Sequence, residues 1–490
     1  MNEIVKQCID NYKTKYINHK KQSLTKDTDI RDYDLSNDQL EIYNKICSKV
    51  DKNKSKTFLI QGYAGTGKSF LVGKLIARLA KVGYKIHCTA TTNKAVKVSK
   101  SMCNYDHYNI EYSTVHSFLG LKRRINYVTG EEYFDLKDIT YYIDQRLKTT
   151  NVLFIDECSQ LNRSTYDILN DIRKKYKITI IYIGDPMQTP PVKEDESEVF
   201  KNKHNKSYIL TKIVRQSETE YGIIPLSLKL RENIDKRYIE YKNDTVDNKG
   251  VHVINPKVAF NDVINELFKS NIYKKDSDFV KICSYTNERV DKANDYIRKM
   301  LYGKNVEEYM KGEKYIVNNA MLSPHVLVTT NSELQILNMK SSTLMIPKFK
   351  IEYVKNGIEI VKEFSLYVDY KECLIKCEDV EHPEIRILEK NEKVKLNRFL
   401  TSFKNTIFNI PNVYKTLKQE LWEQFYYIKN LFADIKYNYA ITIHKSQGST
   451  YDNCIVLLKD TERNYNIVQK NKLLYTAITR ASNNVFLING

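Results

Sequence analysis

No stretch of this chain approaches the ~18 consecutive apolar residues that a membrane-crossing helix needs. Its first residues, Met1 to Asp10, hold no apolar run of secretory length either. The expectation is a chain that stays in a cytoplasm, the host's if it is viral. The 9 cysteines are scattered, as suits thiols kept reduced. Cys373 and Cys377 stand close together, but a zinc site needs a second pair at similar spacing and none follows, so both read as ordinary residues, with a zinc half-site as the alternative. No internal repeat is present.

What the chain does have is positive charge. Lys and Arg number 78 against 60 Asp and Glu, a net charge of +18. That balance favours a polyanionic partner without proving one, since many lysine-rich proteins bind nothing. Hydrophobic residues make up 42% and charged residues 28%, which is globular rather than disordered. A length of 490 residues exceeds one compact core, and about 100–200 residues per domain suggests about two to four.

Residues 1–34 are polar, of mixed charge and weakly periodic, and read as an N-terminal extension. From Ser36 the pattern sharpens, with Leu40, Tyr43, Ile46 and Cys47 at helical spacing. Short apolar runs at Thr57–Gln61, Asn151–Ile155 and Ile178–Ile183 read as buried strands, and Phe70–Leu79 reads as a helix. Strands alternating with helices predict a parallel sheet covered on both faces. Arg123–Val128 and Glu131–Leu136 flank Thr129-Gly130 as a hairpin. Phe349–Val354 and Ile358–Phe364 flank Asn356-Gly357, which suits a type I′ turn. That second hairpin lies in a Lys-rich, β-leaning region, about 300–410. Asn412–Phe432 then reads as an amphipathic helix.

The chemistry begins at Gly62-Tyr-Ala-Gly65-Thr66-Gly67-Lys68-Ser69, a phosphate-binding loop between strand and helix. Its glycines let backbone N–H groups approach phosphate, and the helix N-terminus adds partial positive charge. Lys68 would reach the β- and γ-phosphates and Ser69 would ligate Mg²⁺. Asp156-Glu157 ends an apolar strand, where one acid can hold the metal and the other can deprotonate the attacking water. So far the residues specify only a nucleotide hydrolase.

Further segments narrow it. Gly184-Asp185-Pro-Met-Gln188, following Asp156-Glu157, resembles superfamily 1 helicases, and Ala440-Ile-Thr442-Ile-His444-Lys445-Ser446-Gln447-Gly448 and Leu474-Tyr475-Thr-Ala-Ile-Thr479-Arg480 resemble their motifs V and VI. Asp38-Gln39 resembles a Q motif, Thr89 to Ala95 motif Ia, Ser113 to Ser117 motif Ib, and Val214-Arg215-Gln216 motif IV. In this order they resemble superfamily 1B DNA helicases of the RecD/Dda-like branch. The likeness covers roughly 35–295 and 437–485.

That resemblance implies an α/β fold of two RecA-like P-loop NTPase domains, with a β-hairpin pin inserted in the first and an SH3-like β-subdomain in the second. The implied bounds are 35–212 for motor domain 1A with the pin at about 118–140, and 213–298 with 437–490 for 2A. Residues 299–436 would form the inserted subdomain with its helical extension. The implied activity is ATP-dependent 5′-to-3′ translocation on single-stranded DNA, with strand separation at forked duplex in replication, recombination or repair. ATP and Mg²⁺ are the implied cofactors, and a single-stranded DNA-binding protein or replisome components are further candidate partners. The alternatives are an ATP-gated single-stranded DNA-binding module and a translocase that displaces proteins without processive unwinding.

Roles follow the resemblance residue by residue. Gln39 would bond adenine; Gln188 would sense the γ-phosphate; Arg215 and Arg480 would be arginine fingers. Asp156 would join Ser69 on the metal, and Gly448 would approach the nucleotide. Thr91, Asn93, Lys94, Thr114, His116, Thr442, His444, Lys445 and Ser446 would contact DNA phosphates, which positions a strand without reading bases. Each histidine has a packed, non-binding alternative. Tyr285 would either stack on a base or pack in its strand. Tyr127, Tyr133 and Phe134 would supply the wedge of the pin, or else pack the hairpin on its own domain.

Overall fold

The computed structural model describes residues 35–50, 55–103, 107–136, 140–212, 222–254, 260–319, 321–323, 326–328, 330–377 and 384–489. The extension expected over 1–34, and Arg215, lie outside them. By packing the chain divides into two units. One comprises the residues up to Phe118, Thr140–Lys304 and Tyr439 onward; the other comprises Leu119–Ile139 and Asn305–Asn438. No helix among the described residues is long and apolar enough to cross a membrane.

The first half of the chain carries strands β1 (Thr57–Gly62), β2 (Ile86–Ala90), β3 (Ile110–Thr114), β4 (Lys122–Ile125), β5 (Glu132–Asp135), β6 (Val152–Asp156), β7 (Thr179–Gly184) and β8 (Lys206–Leu210). All but β4 and β5 form one parallel sheet in the order β3-β2-β6-β7-β1-β8. The three apolar runs read from sequence are β1, β6 and β7. They lie side by side at its centre, where both faces are covered and nearly continuous apolar runs are favoured. Because the strands are parallel and in register, their C-terminal ends share one edge: Gln61 pairs with Gly184, and Ala90 pairs with both Asp156 and Thr114. That edge is where ligands bind in open α/β sheets.

A second sheet is built from β9 (Asp244–Val246), β10 (Lys249–Ile254) and β11 (Val280–Ser284), completed late in the chain by β19 (Ala440–Thr442), β20 (Tyr451–Leu457) and β21 (Ala481–Ile488). Its order is β19-β11-β20-β21-β10-β9, parallel except for the edge strand β9. These two sheets with their helices are two RecA-like α/β halves, and both lie in the same packing unit.

The inserted unit carries β12 (Lys314–Val317), β13 (Met321–Ser323), β14 (Val326–Val328), β15 (Glu333–Lys355), β16 (Ile358–Cys377), β17 (Glu384–Ile387) and β18 (Ile435–Tyr437). Five of them form an antiparallel sheet, β17-β16-β15-β12-β18, dominated by the long β15-β16 ribbon. Asn356 (φ 53°) and Gly357 (φ 76°) both turn left-handed between Lys355 and Ile358, as a type I′ turn requires. Cys373 and Cys377 belong to the apolar core of this sheet.

Two differences from the sequence reading concern this unit. The region to about 410 is not uniformly β-leaning, because Lys390–Asn409 is a helix. Its apolar stripe, Leu396, Phe399, Leu400, Phe403 and Ile407, has helical spacing that the polar residues between obscure. It packs with the helix Lys415–Lys429 over Phe364, Val368 and Tyr370 of the ribbon. The β4-β5 hairpin also groups with this unit rather than with the sheet it interrupts. Its strands are shorter than read, because the Asn126 side chain accepts from Val128 N (3.0 Å) and Thr129 N (3.2 Å) and folds 126–131 into a loop. Trp422 Nε1 donates to Tyr127 O (3.1 Å) and Tyr426 Oη donates to Gly130 O (2.7 Å), pinning that loop to the helix. Gly130 is left-handed (φ 64°), and a Cβ there would meet the Trp422 ring at 2.2 Å, so only glycine fits.

Candidate active site

The loop after β1 needs residues that tolerate left-handed backbone, and Gly65 (φ 83°) and Gly67 (φ 72°) supply it. Gly67 leads directly into the helix Lys68–Lys81. Gly62 lies beneath the loop; a Cβ there would approach Thr66 Oγ1 to 2.7 Å and Leu210 Cβ to 3.1 Å. A cavity of ≈ 460 Å³ opens above, between the two RecA-like halves. The first half lines it with Gly65, Thr66, Gly67, Lys68, Ser69, Asp156, Glu157 and Gln188, and the second with Gly448, Thr450, Thr479 and Arg480.

Its electrostatics follow from burial. Lys68 Nζ donates to Gly62 O and Tyr63 O, both at 2.8 Å. Burial lowers its pKa, while Asp185, Glu157 and Asp156 push it back up. Asp156 accepts from Ser99 Oγ (2.9 Å) and from Glu157 N (2.9 Å). Burial raises its carboxyl, against these bonds and Lys68. Burial, and then the Asp156 charge, raise Glu157; Arg480 and Lys68 oppose. Glu157 is left-handed (φ 51°), a costly conformation for a side chain with a Cβ. Arg480 is held by Thr476 O (3.1 Å) and Ser449 O (3.2 Å).

Gln39 is buried, and both ends of its amide are engaged. Oε1 accepts from Ser36 N (3.0 Å) in a capping box, and Nε2 donates to Thr66 O (3.2 Å). It supports the phosphate loop from outside the residues that line the cavity.

The residues read as strand contacts sit along neighbouring strand ends. Thr91 Oγ1 donates to Gln160 Oε1 (2.9 Å), and Asn93 opens the following helix. Lys94 pairs with Asp278 (3.4 Å) and lies over the Tyr451 ring. Thr114 and Thr442 each cap a short helical turn, accepting from Ser117 N (3.2 Å) and Lys445 N (3.3 Å). Partial burial lowers the pKa of both His116 and His444. The Tyr285 and His444 rings lie 6.3 Å apart. Ser446 is fully buried and donates to Ile443 O (2.7 Å), so its side chain holds the turn. In the hairpin, Tyr133 is exposed while Tyr127 packs on the inserted unit's core; Phe134 lies in β5, its side chain outside what is described.

An AAA domain model matches residues 34–251 and a UvrD-like helicase C-terminal domain model matches 437–488. An uncharacterised protein of Acanthamoeba polyphaga mimivirus is 28% identical over 90% of this chain and 96% of that protein. The ATP-dependent DNA helicase dda of Enterobacteria phage T4 is 26% identical over 93% of this chain and 99% of that one. The RecBCD enzyme subunit RecD of Buchnera aphidicola subsp. Schizaphis graminum is 25% identical over 86% of this chain and 68% of that one, and the ATP-dependent DNA helicase PIF1 of Xenopus laevis is 22% identical over 95% of this chain and 62% of that one. Among solved structures, one of Pif1 helicases at forked duplex DNA covers 92% of each chain at 17% identity, with a TM-score of 0.48.

Sequence reading of the helicase motifs missed how the two halves meet. Asp185, wholly buried, accepts from Arg231 Nη1 (2.7 Å), Tyr475 Oη (2.5 Å) and Met187 N (3.0 Å). Tyr475 Oη also accepts from Ala64 N (3.2 Å) of the phosphate loop. The Arg231 guanidinium stacks 3.9 Å from the Tyr63 ring centre. Beside this cluster, Gln160 donates to Gln447, which donates to Gln188 Oε1 (3.4 Å) and Thr189 O (3.3 Å). Gly448 (φ 72°) faces Ala95, 2.9 Å from where its Cβ would stand. A spacing pattern carries no signal for such pairings between distant segments; Tyr475 and Gln447 were visible only as letters within motifs.

Proposed function

We propose that this chain is an ATP-dependent DNA helicase that moves 5′ to 3′ on single-stranded DNA and separates forked duplex, acting in a cytoplasm. One observation carries the reading: a single cavity gathers Lys68, Glu157 and Gln188 from one RecA-like half and Arg480 from the other. Hydrolysis then requires both halves at once, so the chemistry is tied to closure of the cleft. Lys68 and the loop N–H groups bind phosphate, Glu157 takes the proton of the attacking water, and Arg480 stabilises the charge that develops on the γ-phosphate, with Arg215 as its assigned partner. A finger of this kind contributes on the order of 10³–10⁵ in rate.

Ser69 and Asp156 would hold Mg²⁺. The fit rests on two adjacent carboxyls, Asp156 and Glu157, whose ionised forms burial disfavours and a divalent cation would stabilise. When bound, the metal would neutralise phosphate charge.

The strand would lie along Thr91, Asn93, Lys94, Thr114 and His116 of one half, and Tyr285, Thr442, His444 and Lys445 of the other. Lys94 would exchange Asp278 for phosphate. Gln39 would have to release Thr66 to reach adenine. In the hairpin, Tyr133 is the exposed candidate wedge.

The test is ATP-driven separation of matched forks, one with a 5′ tail and one with a 3′ tail. Opening from the 5′ tail alone supports the reading. Opening from the 3′ tail alone overturns the polarity. DNA-stimulated hydrolysis without opening favours the protein-displacing translocase, and absence of stimulation favours the ATP-gated binding module.

A further inference from the structure

A buried carboxylate in the second half, outside the nucleotide cavity, accepts four hydrogen bonds from one loop, with the Arg463 guanidinium farther off at 3.9 Å. Asp460 is 4% exposed and lies in the short helix Leu458–Thr461. Its Oδ2 accepts from Ser284 Oγ (2.7 Å), Tyr285 N (2.8 Å) and Thr286 N (2.7 Å), and its Oδ1 accepts from Thr286 Oγ1 (2.8 Å). These three residues form the end of β11 and the turn into the helix Asn287–Tyr302, which Thr286 caps by accepting from Arg289 N (3.3 Å).

A charge is costly to bury unless its lone pairs are filled. Here they are filled by charge-assisted bonds at a helix N-terminus, where backbone dipoles favour an anion. An apolar residue of equal size would leave two successive backbone N–H groups without this acceptor. The carboxylate thus fixes the backbone on both sides of Tyr285, whose half-buried ring stands beside His444 on the next strand end.

We infer that Asp460 is a positioning residue for the nucleic-acid grip, holding Tyr285 in the orientation in which it meets a base. The inference rests on the helicase reading and on Tyr285 as a stacking contact. Asp460 acts on the strand only through Tyr285, and it takes no part in hydrolysis.

The test is the concentration of oligo-dT that half-saturates ATPase stimulation, measured beside DNA-free hydrolysis and kcat at saturating DNA. Asp460→Ala raises the half-saturating concentration about tenfold, the scale of one lost stacking contact. DNA-free hydrolysis and kcat stay within about twofold. Asp460→Asn recovers most of the loss, because its amide oxygen still accepts N–H groups and its NH₂ can donate to Thr286 Oγ1. Combining Asp460→Ala with Tyr285→Ala gives no further loss beyond Tyr285→Ala alone. If Asp460→Ala fails to fold, Ser284→Ala, which deletes only the hydroxyl on Oδ2, must raise the same concentration by a smaller factor. Additive losses, or a fall in kcat with the half-saturating concentration unchanged, overturn the inference. A wild-type chain without DNA stimulation overturns the helicase reading itself, and the inference falls with it.

Discussion

Glu157 is the residue on which the most converges. Its left-handed backbone, its desolvation and the neighbouring Asp156 charge are all unfavourable to stability, and the proposed hydrolysis gives each a use in the water that Glu157 would orient and deprotonate. Replacing it by Gln keeps the shape and removes the base. Hydrolysis in the presence of single-stranded DNA should fall by about 10²–10⁴, while oligonucleotide affinity stays within a few-fold. A parallel loss of affinity would mean that Glu157 shapes the strand path. His87 offers a second reading at this scale. It is buried against Phe118, with Nε2 2.8 Å from Ser113 Oγ, and burial lowers its pKa to about 3. The unfolded chain therefore binds a proton at this histidine below about pH 6.5 that the folded chain refuses. Stability should fall as pH drops through 6.5 toward 3, and urea midpoints measured for wild type and His87→Gln should diverge over that window. Parallel pH curves would place the acid lability elsewhere.

Among the elements, those with local signatures were legible. Apolar strands β1, β6 and β7 each end in chemistry-bearing residues, and the glycine spacing of the phosphate loop reflects backbone angles that Gly65 and Gly67 alone relieve. The turn at Asn356-Gly357 was legible for the same reason. Less legible was the helix Lys390–Asn409, whose apolar stripe is interleaved with polar residues, and the docking of the β4-β5 loop, whose partners Trp422 and Tyr426 lie far away in sequence. Arg231 belongs to the same class: nothing near it in sequence announces that Asp185 is its partner. The docked loop yields a direct prediction. Gly130→Ala combines a left-handed backbone with a collision on an indole that is itself fully buried. It should destabilise the inserted unit by about 1–3 kcal/mol, read as earlier proteolysis of the hairpin in native buffer. DNA-stimulated ATP hydrolysis should suffer less than strand separation. Equal loss of both would show that the hairpin's integrity matters to the motor itself.

Across the whole molecule, the contact of Tyr475 with Asp185 and Ala64 joins motif VI of one half to the phosphate loop of the other. Tyr475→Phe deletes these bonds and keeps the ring. Base pairs opened per ATP should drop roughly tenfold, the scale of one or two hydrogen bonds to a charged group, with stimulated hydrolysis retained. Comparison of phosphate release with fork opening on the same samples checks it, and an unchanged ratio would remove Tyr475 from the coupling.

The division of the fold also sets an order of assembly. The β4-β5 loop leaves the ribosome long before Trp422 and Tyr426, and β10 and β11 precede the strands β19 to β21 that complete their sheet. The first half can close as soon as β8 is made, whereas the hairpin that interrupts it must wait, its Gly130 loop undocked, until the helix Lys415–Lys429 is synthesised. Nascent chains halted before residue 415 should therefore carry a protease-resistant first sheet with a cleavable hairpin, and the last stretch of translation should seal both the hairpin and the second sheet.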